Sequence, residues 1–486
     1  MQRRDGNKTR FLGEGDAPLE LAFKLHHENK LKEAAQAYRT SIQINPKNAV
    51  AWSNLGTVLR KLEHTDAALA CAKRGLSLDP CNPGYLTNLG NVLTDLDRRD
   101  EALAAHAKAF ALWPDDFLVR KNYANSLREF GHFEQALTHY RAAAAMKPDN
   151  NGVKWDITMT LLHLGRFEDG WAKFYTRWKA PEAKMRPIEA RPWSGQDLKG
   201  KTILVHGEQG FGDTVLCSRY LSMVKLRGGR VILECKKPLH KLFSTIPGID
   251  RIAEYGEIDE PFDYQVPIMS LPVVFKTDLD TVPPVPELLV PDTPTPQARK
   301  LLDVAGEAFK VGIVWSGSVT FKGNKKRAVG VERFIPLASI PGVQLYSLQK
   351  GPCEKELYEA GADALIWDLS GELNDFTDTT AILKQLDLVI MTDSSVAHVA
   401  GSIGCPIWNL LNYKPYWLYL SHREDCPWYP SMRLIRQAEP GNWDKVFDRV
   451  AVELEKAATL KKAGLWEWPS VRNDSIELSG KRSVAA

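Results

Sequence analysis

Three stretches of this sequence hold residues whose types and spacing could do chemistry. The first is His206-Gly207-Glu208-Gln209-Gly210-Phe211-Gly212-Asp213-Thr214. Glycines let a backbone turn sharply and approach a ligand with no Cβ in the way, and a helix start presents free N–H groups. Asp213 stands where a carboxylate could cap that helix or face a cleft as a general base. Gln209, Gly210 and Gly212 are the ligand-facing candidates of this loop.

The second stretch is Thr392-Asp393-Ser394-Ser395-Val396-Ala397-His398, followed by Gly401 and Gly404. An apolar strand runs directly into a helix here. The N–H groups of 394–396 could receive a diphosphate, whose charge the helix dipole favours. His398 follows Ser394 by one helical turn and shares its face. Its imidazole could contact a phosphate; alternatively, Ser394 caps the helix and His398 packs inside.

The third stretch supplies polar and basic residues after a strand: Trp315-Ser316-Gly317-Ser318, then Lys322, Lys325, Lys326 and Arg327. Such a loop could offer a cation to a leaving diphosphate, the electrostatic role a metal otherwise fills, or it could simply be solvated. Ser347-Leu348-Gln349-Lys350-Gly351 ends the next strand at the same rim. Ser316, Gly317, Arg327, Gln349 and Lys350 are the binding candidates of this region. No DxD-like pair is placed for a metal-bound nucleotide, and Asp375 and Asp378 read as helix-start residues, so neither a metal nor a cofactor is expected.

These loops need strands and helices to hold them. From about residue 200 short apolar runs alternate with helical segments, at 202–206, 230–234, 250–254 and 262–267, with a helix over 214–226. A second series follows at 311–315, 343–348, 364–368, 388–392 and 407–411, closed by a helix over 443–460. This βαβ rhythm predicts parallel sheets covered by helices. Two Rossmann-like halves, 201–277 and 310–465, are expected, joined by a Pro-rich linker over 278–309. Ligands of such folds sit in the cleft at the carboxyl ends of the strands.

Ahead of them the chain repeats. Pro46, Pro80, Pro114 and Pro148 recur every 34 residues, the period of tetratricopeptide repeats. Trp52, Leu55, Gly56 and Leu59 become Leu86, Leu89, Gly90 and Leu93 one period later, and Ala34, Ala68, Ala102 and Ala136 mark close helix approaches. Residues 17–180 are therefore expected to form an α-solenoid of four full repeats plus a capping unit with an aromatic end (Trp171, Phe174, Tyr175, Trp178). Stacked hairpins build an extended concave surface, suited to a protein partner. Residues 1–16 read as disordered, 181–200 as a linker and 466–486 as a tail.

Composition limits the rest. The chain has 486 residues, 44% hydrophobic and 25% charged, with a formal net charge of +3. That near-balance exerts no global pull toward nucleic acid. No apolar run approaches the ~20 residues of a membrane span, and the polar start lacks a secretory signal's apolar stretch, so a cytoplasmic protein is expected. The seven cysteines are scattered and never form a C-x-x-C pair, which reads as reduced, packed thiols.

With these motifs assembled, the chain resembles a bacterial family in which tetratricopeptide repeats precede a GT-B-type glycosyltransferase domain. That domain is similar to glycosyltransferase family 9, the heptosyltransferase group, and more distantly to the protein O-GlcNAc transferases. The resemblance rests on EQGFGDT (208–214), WSG (315–317), SLQKGP (347–352), TDSSVAHVAGSIGCPIW (392–408) and REDCPWYPSMRLIRQ (423–437). It implies metal-independent, inverting sugar transfer from a nucleotide-sugar donor, with Asp213 as the base that deprotonates the acceptor hydroxyl. Asp393, Ser394, Ser395 and His398 would line the donor site, and Lys or Arg of 322–327 would steady the leaving group. Some relatives of this layout modify flagellin, which makes a protein Ser/Thr hydroxyl the expected acceptor and the repeats its receptor. The alternatives are a non-catalytic repeat scaffold with a degenerate transferase domain, or a polysaccharide or lipopolysaccharide glycosyltransferase.

Overall fold

The computed structural model describes residues 17–179, 186–208, 210–321 and 323–468. The expected disordered segment 1–16 lies outside them, as do Gln209, Lys322 and 469–486. The chain divides into two compact units, Met1–Thr160 and Leu161–Ala486.

The first unit is built of helical hairpins: α1 (Ala17–His27) with α2 (Leu31–Ile44), α3 (Ala49–Lys61) with α4 (Thr65–Leu78), α5 (Pro83–Asp95) with α6 (Arg99–Leu112), and α7 (Phe117–Glu129) with α8 (Phe133–Met146). The division at Thr160 falls within α9 (Asn151–His163). Starts are fixed chemically: Asn48, Asn82, Asp116 and Asn150 each accept N–H bonds from the first turn of the helix that follows, satisfying donors that a helix start leaves open. Between the two helices of each hairpin one residue turns left-handed: Asn29, Glu63, Asp97 and Gly131. Ala34, Ala68, Ala102 and Ala136 are fully buried where the helices meet. A Cβ on Gly90 would lie 2.6 Å from the His106 ring, so that glycine makes room for a buried imidazole.

The second unit opens with α10 (Phe167–Trp171) and a 3-10 turn over Phe174–Lys179. Its first sheet holds β1 (Arg191–Pro192), β2 (Thr202–His206), β3 (Arg230–Glu234), β4 (Arg251–Ala253) and β5 (Tyr264–Pro267), all parallel, in the order β1-β5-β2-β3-β4. The second holds β6 (Phe309–Val314), β7 (Val343–Ser347), β8 (Ile366–Asp368), β9 (Leu388–Thr392), β10 (Ile407–Leu411) and β11 (Met432–Arg436). Its order is β11-β10-β9-β6-β7-β8, again all parallel. Strand order reverses between β6 and β9 and between β2 and β5. Helices leave to opposite faces at such points and open a crevice at the strand ends.

Several boundaries differ from the sequence expectation. The expected linker 181–200 contributes β1, which pairs with β5, and Trp193 beside it is 3% exposed. The Pro-rich linker 278–309 contains a helix, Pro296–Val304, and ends inside β6. Thr295 caps that helix by accepting from the Ala298 N–H at 3.2 Å, and proline is well suited to a first helical position because no N–H is needed there. The helix expected over 214–226 starts earlier and breaks into α11 (Phe211–Cys217), a 3-10 turn and Leu221–Lys225. Trp466, the first residue of the expected tail, packs edge-on to Phe309 with ring centroids 5.0 Å apart. No helix among the described residues is long and apolar enough to cross a membrane.

Candidate functional site

Parallel strands end together, and their ends carry the candidate residues. β6 and β9 pair in register from Val311 with Leu388 to Val314 with Met391. Each strand's next residues, Trp315-Ser316-Gly317 and Asp393-Ser394, therefore emerge side by side at the reversal of the second sheet. The loop after β2 leaves the reversal of the first sheet and feeds α11. A Cβ on Gly212 would lie 2.7 Å from His398 Cδ2 and 3.1 Å from its Nε2. The helix carrying Asp213 thus touches the Ser395–Ser402 helix at His398 with only a glycine between them.

Asp213 is the third residue of α11 and sits partly exposed at its start. Burial pushes its carboxyl up to about 7, with Glu208 and then Asp393 adding repulsion, against the opposing pull of Arg177 and Arg327. Such a group exchanges a proton near neutrality, as a general base must. His398 is the reverse case. Burial drives its imidazole down to about 4, leaving it uncharged at neutral pH, and its Nδ1 lies 3.1 Å from the Tyr429 hydroxyl.

Asp393 is held on both sides. The Tyr419 hydroxyl donates to Oδ1 at 2.7 Å, and Arg327 Nη1 donates to Oδ2 at 3.2 Å. Arg327 also stacks on Phe321 at 4.7 Å and lies against Gly317, where a Cβ would be 2.6 Å from Nη2. Arg327 is a cation of the basic loop that the fold brings to the strand ends. Ser394 occupies the N-cap position of its helix, yet its side chain makes no cap bond. Its hydroxyl and that of Thr392 are buried without partners among the described residues. Of the alternative reading, Ser394 holds the cap position without a side-chain cap bond, His398 is packed inside, and Ser395 begins the helix.

Other candidates are engaged in building the loops. Gln349 is 2% exposed; its carbonyl accepts from the N–H groups of Trp315 and Ser316, and its amide donates to the carbonyls of Ser316 and Lys350. It braces the loop after β6 from the next strand. Ser316 is buried and receives a hydrogen bond from Asn324 at 3.0 Å. Lys350 donates to the Ser370 carbonyl at 2.9 Å. Gly210 precedes α11, and a Cβ there would lie 2.7 Å from an Asp213 carboxylate oxygen. Asp375 caps its helix, accepting from Thr377 and Asp378.

Two arginines were not legible as site residues. Arg177 pairs with Glu208 at 3.2 Å. Arg219 is 4% exposed and donates to the carbonyls of Leu216, Pro283 and Trp428, tying the α11 segment to the linker and to the second sheet's outer loop. The aromatic end of the repeats belongs to the same packing: Trp171 donates to the Thr277 carbonyl at 2.6 Å and meets Trp417 edge-on, and Phe167 lies against Trp417 and Trp428. In the first unit, a cavity of about 570 Å³ lies among α2, α3 and α4, lined by Arg39, Trp52, Leu55, Leu59, His64 and Cys71.

Comparison with known proteins adds to the geometry. Tetratricopeptide-repeat family models match residues 24–63, 49–81 and 123–183. Protein FlbA of Caulobacter vibrioides is 31% identical over 320 residues, covering 60% of this chain; the chain spans about half, 52%, of that relative's length. Among solved structures, the type IV pilus biogenesis factor PilW aligns at 20% identity and TM-score 0.33, covering 36% of this chain and 81% of PilW. A thermophilic tetratricopeptide-repeat protein of Thermus thermophilus aligns at 19% identity and TM-score 0.32, covering 35% of this chain and 92% of its own. The chain carries tetratricopeptide repeats, and they precede an α/β unit of two parallel sheets.

Proposed function

We propose that the chain is a glycosyltransferase of GT-B type that moves a sugar from a nucleotide-activated donor to a hydroxyl of a protein. The observation that carries this reading is the meeting of Asp213, whose carboxyl exchanges protons near neutrality, with His398 and the Arg327–Asp393 pair at the ends of parallel strands. Asp213 takes the proton of the acceptor hydroxyl as its oxygen attacks the anomeric carbon. The bond from that carbon to the diphosphate breaks on the opposite side, which inverts the centre. Negative charge then gathers on the departing nucleoside diphosphate, where Arg327 and the N–H groups of 394–396 can take it up. The nucleotide-sugar is substrate rather than cofactor. The repeats select the acceptor, and the family resemblance makes flagellin the first acceptor to test.

The test is intact-mass analysis of flagellin and other secreted proteins from cells lacking the gene, complemented with wild type or Asp213→Asn. A sugar-sized mass should return with wild type alone. Its return with Asp213→Asn would refute the assignment of the base.

A second reading, a repeat scaffold without catalysis, draws on the fact that Gln349, Lys350 and Arg327 already have protein partners. Calorimetry against UDP-, CMP- and ADP-sugars separates the two, since a scaffold should bind none of them.

A further inference from the structure

Arg177 lies in the 3-10 turn after α10, and its guanidinium carbon is 4.3 Å from the ring centroids of both Phe174 and Trp178. Nη2 donates to Glu208 Oε1 at 3.2 Å and to Ser270 Oγ at 2.6 Å, while Nη1 donates to the Phe174 carbonyl at 3.3 Å. Glu208 follows β2 and Ser270 follows β5, the neighbouring strands at the reversal of the first sheet. One cation therefore ties the loop that leads to Asp213 to the loop after β5. The Tyr255 hydroxyl adds a second tie, donating to the Glu208 carbonyl at 2.8 Å. A buried ion pair is a weak source of stability because both charges lose their water. A planar guanidinium packed against aromatic rings is well suited to fixing a carboxylate in place.

We propose that Arg177 is a positioning residue of the Asp213 site: it holds Glu208 in place and its own charge faces Asp213, so the aromatic segment 167–179 sets the charge environment of that carboxylate. Its relevance to catalysis rests on the proposed role of Asp213 as base; its geometry and its test do not. Asp213 faces Glu208 from its own loop, Asp393 after β9, Arg177 from the aromatic segment and Arg327 from the helix Asn324–Arg327. Tyr416 and Cys217 also face it, but burial keeps both protonated through the neutral range, and His398 is uncharged there. Glu208, whose own carboxyl is raised by burial against the pull of Arg177, holds the Asp213 proton on when it is ionised, and Arg177 opposes it. Coupled carboxylates titrate as a set, so the clean comparison removes Glu208 first.

The experiment titrates Asp213 itself in the full chain, labelled with 13C-carboxyl aspartate, its signal identified by its loss in Asp213→Asn. A single neighbouring charge moves a carboxyl by about 1 unit. E208Q should lower the Asp213 midpoint by about that much, and R177M/E208Q should raise it again by a similar amount. If R177M/E208Q does not fold, R177Q/E208Q makes the same comparison. A midpoint that fails to fall in E208Q, or fails to rise when Arg177 is then removed, overturns the proposal. Midpoints that move as expected while Asp213→Asn leaves the acceptor's sugar intact would instead refute the base assignment alone.

Discussion

Gly212→Ala tests the contact that assembles the candidate site. The new methyl would lie 2.7 Å from His398 Cδ2, whereas carbon atoms rest about 3.5 Å apart, so about 0.8 Å must be found. His398 has little room to give. It is 7% exposed, its Nδ1 meets the Tyr429 hydroxyl, and Tyr429 packs so closely on Gly401 that a Cβ there would be 2.5 Å from its ring. Overpacking of this kind costs about 1–3 kcal/mol, and alanine returns about 1 kcal/mol over glycine within a helix. The net is a loss of about 0–2 kcal/mol, modest for the fold. For chemistry it is larger, because Asp213 is the next residue and a misplacement near 1 Å can cost about 100-fold in rate. Urea denaturation of the full chain reads the stability, with Gly212→Ala, His398→Ala and the double variant forming a cycle. In the His398→Ala background the clash is gone, and Gly212→Ala should stabilise by about 1 kcal/mol. If the two substitutions add to within about 0.5 kcal/mol, the helices do not meet at this point and the site as described is wrong.

Three further predictions follow from single groups. Asp213 keeps in the fold a proton that the unfolded chain loses above pH 3.8, so its contribution to stability falls as pH rises toward 7. Asp213→Asn should therefore stabilise the chain at pH 8 by about 1–3 kcal/mol, allowing for its partial exposure, and make no difference at pH 4; equal urea midpoints at pH 8 would refute the raised proton affinity. His106 is 1% exposed and burial lowers its imidazole from 6.5 to about 4, so the unfolded chain alone binds that proton in between and stability drains as pH falls through this window. The loss should reach about 3 kcal/mol, and His106→Ala, which puts there the residue type found one repeat earlier at Ala72, should flatten the acid dependence of the helical signal. Gly131 turns left-handed at φ 79°, and Gly131→Ala should cost about 1 kcal/mol in a urea titration, whereas an unchanged midpoint would mean the hairpin turn has slack.

The repeats were legible because their information is local and recurs. Pro46, Pro80, Pro114 and Pro148 mark the ends of helices, and the small residues Ala34, Ala68, Ala102 and Ala136 stand where the helices touch. The left-handed turn residues keep the same period but were hidden, since Asn29, Glu63 and Asp97 stand where glycine would have signalled the turn. Apolar runs likewise announced β2 through β10, while β11, Met-Arg-Leu-Ile-Arg, was missed because two charges interrupt it. The Pro296–Val304 helix was missed for the opposite reason: prolines counted as a linker signal when one of them starts a helix.

The candidate site shows where sequence stops. Motif order named Asp213, Asp393 and His398, but their meeting depends on a glycine of one helix lying against a histidine of another. Arg177 reaches Ser270 across 93 positions and Arg219 reaches Trp428 across 209, and neither carries a local mark of its role. Gln349 shows the converse, a polar residue in a motif that the fold spends on bracing backbone. Helix caps, strand propensity and repeat period act over a few residues, so one stretch of chain fixes them. Proton affinity depends on burial and on which charges face each other, and those are decided only when distant segments pack.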